Sequence, residues 1–441
     1  MIFFLKKRGA AVLIFVLFFA FTSSVMVFTL SQSIYMDLSD LNQISRSKQA
    51  YMAAESAVED VTYRRVFGTF SVDNTESVTV GGVTGQAVTV YNSVSDEYTI
   101  TGQATKDTVL RKSVVRMSIT GGTAFNYGLQ TGTGGIIMSN NSHIYGNVYS
   151  NGIVTGAGSA TVHGDIVSAG ATGRINTITA TGTVYANTID RVTVGKDAYY
   201  NTQIGTNAQN PVTGTRYTPA ANQPLATLPL STTTIQEWKD AITTYGTTIL
   251  ATDPACSSGT YTIDTSITIG YLKVECNLDI KQLSTTVTVN GPIWVVGNLS
   301  FTQSPIINVD PLLGRRSVQF IVDNPTNRLT SSKIEVRNST QFNGSGDSRS
   351  YIMLLSMNNS SSLGGTVKAI DVSQSANGSV LVYAADGLVD IANGINLREV
   401  TGHKINVANS SAVYYKSGLA SLLFTSGPGG GYTIDDWRQV K

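Results

Sequence analysis

Imidazoles, carboxylates, thiols and aromatic rings are the groups in this chain that could bind or transform a ligand, and their spacing restricts each of them. Three histidines occur: His143, His163 and His403. A tetrahedral metal needs several imidazole, thiolate or carboxylate ligands around one point. Between residues 121 and 230 the acids are Asp165, Asp190 and Asp197. Two carboxylates flanking one sugar are what glycoside hydrolysis requires. Tyr145, Tyr149 and Tyr185 are candidates to stack sugar rings, and Cys256 and Cys276 are the two thiols. Gly-Gly-x-Gly-x-Asp calcium repeats, phosphate loops and nucleophile elbows do not occur in the sequence.

What must position these groups is a repeat. Gly146, Gly164 and Gly182 follow one another at 18-residue intervals. Two residues before them stand Ile144, Val162 and Ala180; two after, Val148, Ile166 and Val184; four after, Ser150, Ser168 and Ala186. These columns have one parity, so they share a face. Apolar columns at a short fixed period suit a parallel β-solenoid, in which each coil buries its inner face against the next. An irregular β-sandwich is the competing arrangement. Gly128 continues the 18-residue register. On that register Asp165, Asp190 and Asp197 fall opposite Thr183, Thr172 and Thr179, so no carboxylates stack. His143 and His163 differ by one period plus two positions, about 8 Å by strand and rung spacing, too far for one metal. Each reads as a pleat-face residue, and neither metal nor cofactor is expected.

Only 13% of residues are charged and the net charge is +1, so nothing indicates a nucleic-acid partner. Abundant Gly, Thr, Ser, Asn and Val make the composition β-rich rather than disordered. Alternation over 77–80 and 87–90 around Gly81-Gly82 predicts a hairpin within a small β module over 68–122. Solenoid repeats are expected over 123–210, a Pro-rich linker and short helix over 211–254, and a C-terminal β-rich, solenoid-like domain over 255–441. Pro211, Pro219, Pro224 and Pro229 lead into that helix, and Thr234-Ile-Gln-Glu237 reads as its capping box.

The N-terminal part obeys different physics. Lys6, Lys7 and Arg8 precede Gly9 and Ala10, and residues 10–36 carry no charged side chain. Roughly 20 apolar residues span a bilayer as a helix. A basic flank on the N-terminal side keeps that end cytoplasmic and exports the rest. Beyond the apolar stretch Ile34, Leu38, Leu41, Ile44, Tyr51 and Val58 recur at helical spacing, with Asp37, Asp40, Arg46, Lys48, Glu55 and Glu59 between them. That is an amphipathic helix. One helix over 12–66, on the order of 80 Å long at 1.5 Å per residue, is expected. A cleaved secretory signal is shorter and is usually followed by helix breakers; a plain single-pass anchor also fits. Cys256 and Cys276 then lie in the exported, oxidising compartment and read as a disulfide, with two buried thiols as the alternative. A loop of about 20 residues closed in this way stabilises by roughly 3 kcal/mol.

Several of these segments resemble a known family. Arg8-Gly9-Ala10-Ala11 looks like a class III-type prepilin leader junction, which implies a 1–9 leader cut by prepilin peptidase after Gly9. Residues 48–60, Lys-Gln-Ala-Tyr-Met-Ala-Ala-Glu-Ser-Ala-Val-Glu-Asp, resemble a stretch of PilX-type minor pilins. Major pilins carry Glu at the fifth mature position; counted from Ala10 that position is Ile14, which has no charge. Pseudopilins that lack this Glu sit at filament tips. Trp238-Lys239, the cysteine pair, Trp294-Val-Val-Gly-Asn298, Tyr351-Ile-Met-Leu-Leu-Ser356, Gly418-Leu-Ala-Ser-Leu-Leu-Phe424 and Ser426-Gly-Pro-Gly-Gly430 resemble the C-terminal region of PilX-like proteins.

The fold expected is therefore α+β: a long pilin-like helix, transmembrane then amphipathic, followed by a mainly β body that is a parallel β-solenoid with a short helical excursion. The resemblance implies a minor pilin or pseudopilin whose partners are other pilins, the assembly machinery, prepilin peptidase and the membrane. A membrane-tethered adhesin with a glycan-binding solenoid is the alternative, and a β-helix enzyme a third reading.

Overall fold

The computed structural model describes residues 5–67, 75–92, 97–119, 125–281, 285–374, 376–416, 419, 422–424 and 432–440. The chain divides into two compact units, Met1–Ile119 with Tyr432–Lys441, and Thr120–Gly431.

In the first unit, helix α1 (Leu5–Phe67) runs 63 residues without interruption, and no Pro or Gly stands between Ala10 and Phe67 to break it. The hydroxyls of Thr22 and Thr29 donate to carbonyls of the preceding turn, Phe18 and Met26, at 3.0 Å, which satisfies them in an apolar stretch. Further along, Ala50, Ala53, Ala54, Ala57, Val58 and Val61 are buried. Strands Thr75–Val80, Val83–Asn92, Glu97–Lys106 and Val109–Ile119 form an antiparallel sheet on that face. The hairpin at Gly81-Gly82 is present, with Val80 opposite Val83. Both glycines have the positive φ that the tight turn demands.

Helix and sheet approach closely because both present small residues. A Cβ on Gly102 would lie 2.4 Å from the Ala54 carbonyl oxygen, and one on Gly85 only 2.0 Å from that of Ala53. The fifth strand of this sheet is Tyr432–Val440, antiparallel to Val109–Ile119. The module expected over 68–122 is thus completed by residues expected in the C-terminal domain. The second unit is an insertion between two paired strands.

The second unit is one parallel β-solenoid, with no division at residue 255. Each coil carries strands on three faces, and the strands assemble into an 11-stranded and a 22-stranded sheet. The apolar columns read from the sequence do point inward: Ile144, Val162, Val148, Ile166 and Val184 are fully buried. They lie on two faces, not one, because the chain turns at the corner that each repeat Gly opens between them. His143–Tyr145 belongs to the first face and Val148–Ser150 to the second. Val148, Ile166, Val184, Ala198 and Arg216 stand in register. The coil from Val184 to Ala198 is therefore shorter than its neighbours, and the even period stops there. Gly128 pairs one position out of the expected register, since Leu129 is opposite Val148.

Coil order in space differs from coil order in sequence. Leu129–Met138 opens in the middle of the stack, and coils descend from it to Arg216–Tyr217 at one end. Residues 218–230 then travel back along the outside. Their carbonyls accept hydrogen bonds from Gly170 N at Gln223, Tyr149 Oη at Pro224, Asn151 Nδ2 at Ala226, Gln130 Nε2 at Thr227 and Tyr383 Oη at Leu230. The proline-rich lead-in is therefore a strap on the solenoid. Winding resumes at Thr247–Ile249 and climbs inward until Glu399–Val407 pairs, parallel, with Leu129–Met138. In this second arm Leu272, Ile293, Phe320, Leu354, Val382 and Val400 share one column. The coils between them are unequal, longest from Phe320 to Leu354 and shortest from Val382 to Val400. The wider coils are filled by rings: Phe301 packs edge-on against Phe320 and Phe342 at 5.5 and 5.3 Å.

Helix α2 (Thr232–Tyr245) follows the strap. Its N-cap is Ser231, whose hydroxyl accepts from Thr234 N, so the cap lies ahead of the box expected at Thr234. Ile235, Trp238 and Ile242 cover Ile321, Leu355 and Tyr383 on the outer side of the second face. From the C-terminal motif Leu419, Leu422 and Phe424 join this layer, Phe424 lying 4.9 Å from the Trp238 ring; residues 426–430 lie outside the described residues.

The close approach at Gly102 gives a direct test. A Gly102→Val chain should lose about 1–3 kcal/mol of stability in the first unit. Hydrogen exchange should speed up across 83–106 while amides of the solenoid core keep their protection; unchanged protection at 83–106 would contradict the packing described.

Candidate functional site

Three regions carry groups that could serve a function. The first is α1. Its side chains from Val12 to Leu30 are exposed almost throughout, Ile14 at 67%, and it is the one described helix long and apolar enough to cross a membrane. Lys6, Lys7, Arg8, Gly9 and Ala10 lie in its first turns; their side chains lie outside the described residues.

The second is the first face of the solenoid. Tyr414 is opposite Tyr145, and Tyr145 opposite His163. Their rings stack face to face, 4.6 Å and 4.3 Å apart with interplanar angles of 4° and 2°. Beside them His143 and His163 approach to 3.3 Å between Nδ1 and Nε2. The separation expected from backbone spacing is closed by side chains leaning across the rung. Burial, and then the neighbouring imidazole of His143, hold His163 below its usual range. Among the described residues no third His, Cys, Asp or Glu joins them to make a metal set. A second row on the second face holds Tyr185, Tyr199 and Tyr217 at 4.7 and 4.4 Å.

This geometry changes what the tyrosines can do. Tyr145 has a ring on each face, so no sugar can stack on it. Tyr149, a third candidate, is only 8% exposed and donates its hydroxyl to the strap at Pro224. Tyr185 is half-buried with one face against Tyr199. Only a ring at the end of a row keeps a face for a ligand, and Tyr414, 38% exposed, is such a ring. It borders a groove of about 400 Å³ lined by Asn377, Gly378, Asn396 and Arg398.

The third region holds the carboxylates. Asp165 and Asp197 accept hydrogen bonds from the backbone N–H of the next coil, at Thr183 and Thr215, both 2.7 Å. Asn147, Asn277 and Asn298 do the same at their corners. Because the coil from Val184 to Ala198 is short, Asp197 stands opposite Thr183, not Thr179. Asp190 pairs with Arg174 and Arg191. In the second arm, beyond residues 121–230, carboxylates do stack: Glu335, Asp371 and Asp390 occupy adjacent rungs of the third face. Arg337 and Lys368 are interleaved with them, at 2.7 Å and 3.3 Å from Asp371 and, for Lys368, 2.6 Å from Asp390. Burial opposes the Asp371 charge, but Arg337 and Lys368 outweigh it and hold the carboxyl below its usual range. A general acid needs the opposite shift.

Other polar groups were not foreseen. His403 lies between two hydroxyls, Ser361 at Nδ1 (3.0 Å) and Thr133 at Nε2 (3.3 Å), so no carboxylate orients its ring. Asp323 is wholly buried; Lys239 of α2 lies 2.8 Å away and Arg328 2.7 Å. Burial disfavours its charge, yet hydrogen bonds from Arg328 and Lys239 hold its carboxyl below the usual range. Glu399 is fully buried with one hydrogen bond, from Thr401, and burial pushes its carboxyl well up. Cys256 and Cys276 are joined by a disulfide, Cα atoms 6.0 Å apart, the pairing expected from the sequence.

No family model matches the chain, and no curated protein matches it. Among solved structures, the competence-associated pilin ComZ from Thermus thermophilus overlaps 90% of this chain and 97% of its own, with a TM-score of 0.31 and 11% identity. At that score the overlap carries neither fold nor function from one chain to the other.

Glu399 and Asp323 should act on stability with opposite pH dependence. The folded state binds a proton at Glu399 that the unfolded state has lost, so stability falls as pH rises above the ordinary carboxylate range. Glu399→Gln should therefore raise the melting midpoint at pH 7–8 and leave it nearly unchanged near pH 4. Asp323 contributes at neutral pH and loses that contribution as pH falls through its depressed pKa. Lys239→Ala, which removes one partner of a buried charge, should cost about 3–5 kcal/mol at pH 7 and less in acid. Melting curves from pH 3 to 8 decide both.

Proposed function

We propose that this chain is a minor subunit of a type IV pilus-like filament, cut by prepilin peptidase between Gly9 and Ala10, with the solenoid displayed at the tip for assembly initiation or adhesion. The observation that carries the reading is α1. Its last turns, from Ala50 on, are the floor of an antiparallel sheet, while its apolar stretch from Val12 to Leu30 stays exposed almost throughout. An apolar surface of that length is not left in water. A bilayer covers it before assembly and the helices of neighbouring pilins cover it afterwards. The basic flank puts its N-terminus in the cytoplasm and the C-terminus outside. An uncharged Ile14, where bulk subunits carry Glu, supports a tip position. So does the insertion Thr120–Gly431, too bulky for every subunit of a dense helix.

A membrane-tethered adhesin outside any filament is favoured by one feature, the groove beside Tyr414. The enzyme reading is less well supported, because the stacked carboxylates are neutralised by Arg337 and Lys368 and the described histidines make no hydrogen bond to a carboxylate. N-terminal sequencing and intact mass of protein from envelopes with and without prepilin peptidase test the proposal. A peptidase-dependent start at Ala10 is expected; an unprocessed start in cells with active peptidase would leave only the tethered form.

A further inference from the structure

We propose that the groove at the open end of the Tyr414–Tyr145–His163 row binds a carboxylate-bearing sugar unit of an acidic polysaccharide. The site deepens the display reading above, since such a ligand is met outside the cell. Tyr414 supplies the aromatic wall. Tyr145 covers one of its faces, and among the described residues no other ring or cation stacks on it. Leu397 is opposite Val413, so the next rung places Arg398 beside Tyr414. A pyranose laid against Tyr414 therefore has a guanidinium in reach.

Arg398 is what selects an acid. It forms no ion pair among the described residues, and its Nε is shielded from solvent without a hydrogen-bond partner. Three other arginines of this solenoid are held by carboxylates: Arg174 by Asp190, Arg328 by Asp323, Arg337 by Asp371. Because Nε is shielded, a ligand in the groove meets the terminal Nη groups, where a carboxylate offers two oxygens matched to the guanidinium N–H groups. None of the residues lining the groove is acidic, so the pocket field is positive. Asn396 is exposed, and its amide can both donate to and accept from ring hydroxyls. Gly378 keeps the floor low: its φ is +129°, and a Cβ there would sit 2.0 Å from the Phe342 carbonyl oxygen. The volume lies in the ordinary range for a small-ligand cleft, about 300–1,000 Å³. Neighbouring rungs repeat at about 4.8 Å along the stack, so further sugar units can follow the row of Asn, Gln and Thr side chains on this face.

The test uses the full-length chain in detergent and titration calorimetry with three carboxylated probes: a galacturonic acid hexamer, a mannuronic acid hexamer and sialyllactose. The fully methyl-esterified galacturonic hexamer is the neutral control. At least one carboxylated probe should bind, and where the galacturonic hexamer does, its ester should not. Arg398→Gln and Tyr414→Ala should each weaken binding by about tenfold or more, with Arg398→Lys in between and each variant still giving a cooperative melting transition. Should a variant fail to fold, the acid-to-ester comparison on the unaltered chain decides. No binding by any carboxylated probe, equal binding of the ester, or full binding by folded Arg398→Gln overturns the site. Each of these leaves the peptidase result untouched, and an unprocessed N-terminus leaves the binding result untouched.

Discussion

The parallel pairing of Glu399–Val407 with Leu129–Met138 is the contact on which the solenoid depends. It joins two arms that are wound separately, and parallel strands pair only if the chain re-enters each rung in the same direction. The chain meets that demand by carrying residues 218–230, and then α2, outside the stack from one end to the other. Every coil must then supply apolar residues at the same inward points, whatever its length. Leu129 sits between Val400 and Val148 and extends the apolar column across the seam. Coil length is otherwise free, and the extra residues leave as loops or are filled by Phe301, Phe320 and Phe342.

That freedom explains what the sequence discloses. The N-terminal helix is legible because it obeys a local rule, the absence of Pro and Gly from Ala10 onward, and the Gly81-Gly82 hairpin because turn chemistry is local. The first solenoid arm is legible because Val148, Ile166 and Val184 are evenly spaced. The shorter coil that follows Val184 already breaks the count and misplaces Asp197. The second arm keeps its inward column but spaces it irregularly, so no period reveals that Glu335, Asp371 and Asp390 stack. Side-chain lean is hidden as well: backbone spacing separates His143 from His163, yet their imidazoles touch. Tyr145 and Tyr149 have the right residue type for a sugar platform, but ring stacking and the strap remove their faces. Tyr414 and Arg398 carry no signal of their own, since their neighbours come from distant sequence.

Charge is handled in three ways that follow burial. On the third face acids alternate with Arg337 and Lys368, a surface network of the kind that gains little per pair. Under α2, Asp323 is taken wholly out of water and held by two cations, which ties the helix to one register of the sheet. Glu399 keeps its proton instead. At the corners Asn147, Asp165, Asp197, Asn277 and Asn298 spend no charge on ion pairs and satisfy backbone N–H groups where the ladder breaks at a turn.

The strand Tyr432–Val440 closes the sheet of the first unit, and that has a consequence in time. As the chain is made, Val109–Ile119 emerges as a bare sheet edge and stays so while Thr120–Gly431 is synthesised and wound. A bare edge is an invitation to pair with other chains. Chains cut short before residue 432 keep that edge, so the head of α1 carries a built-in record of whether the inserted body has been finished.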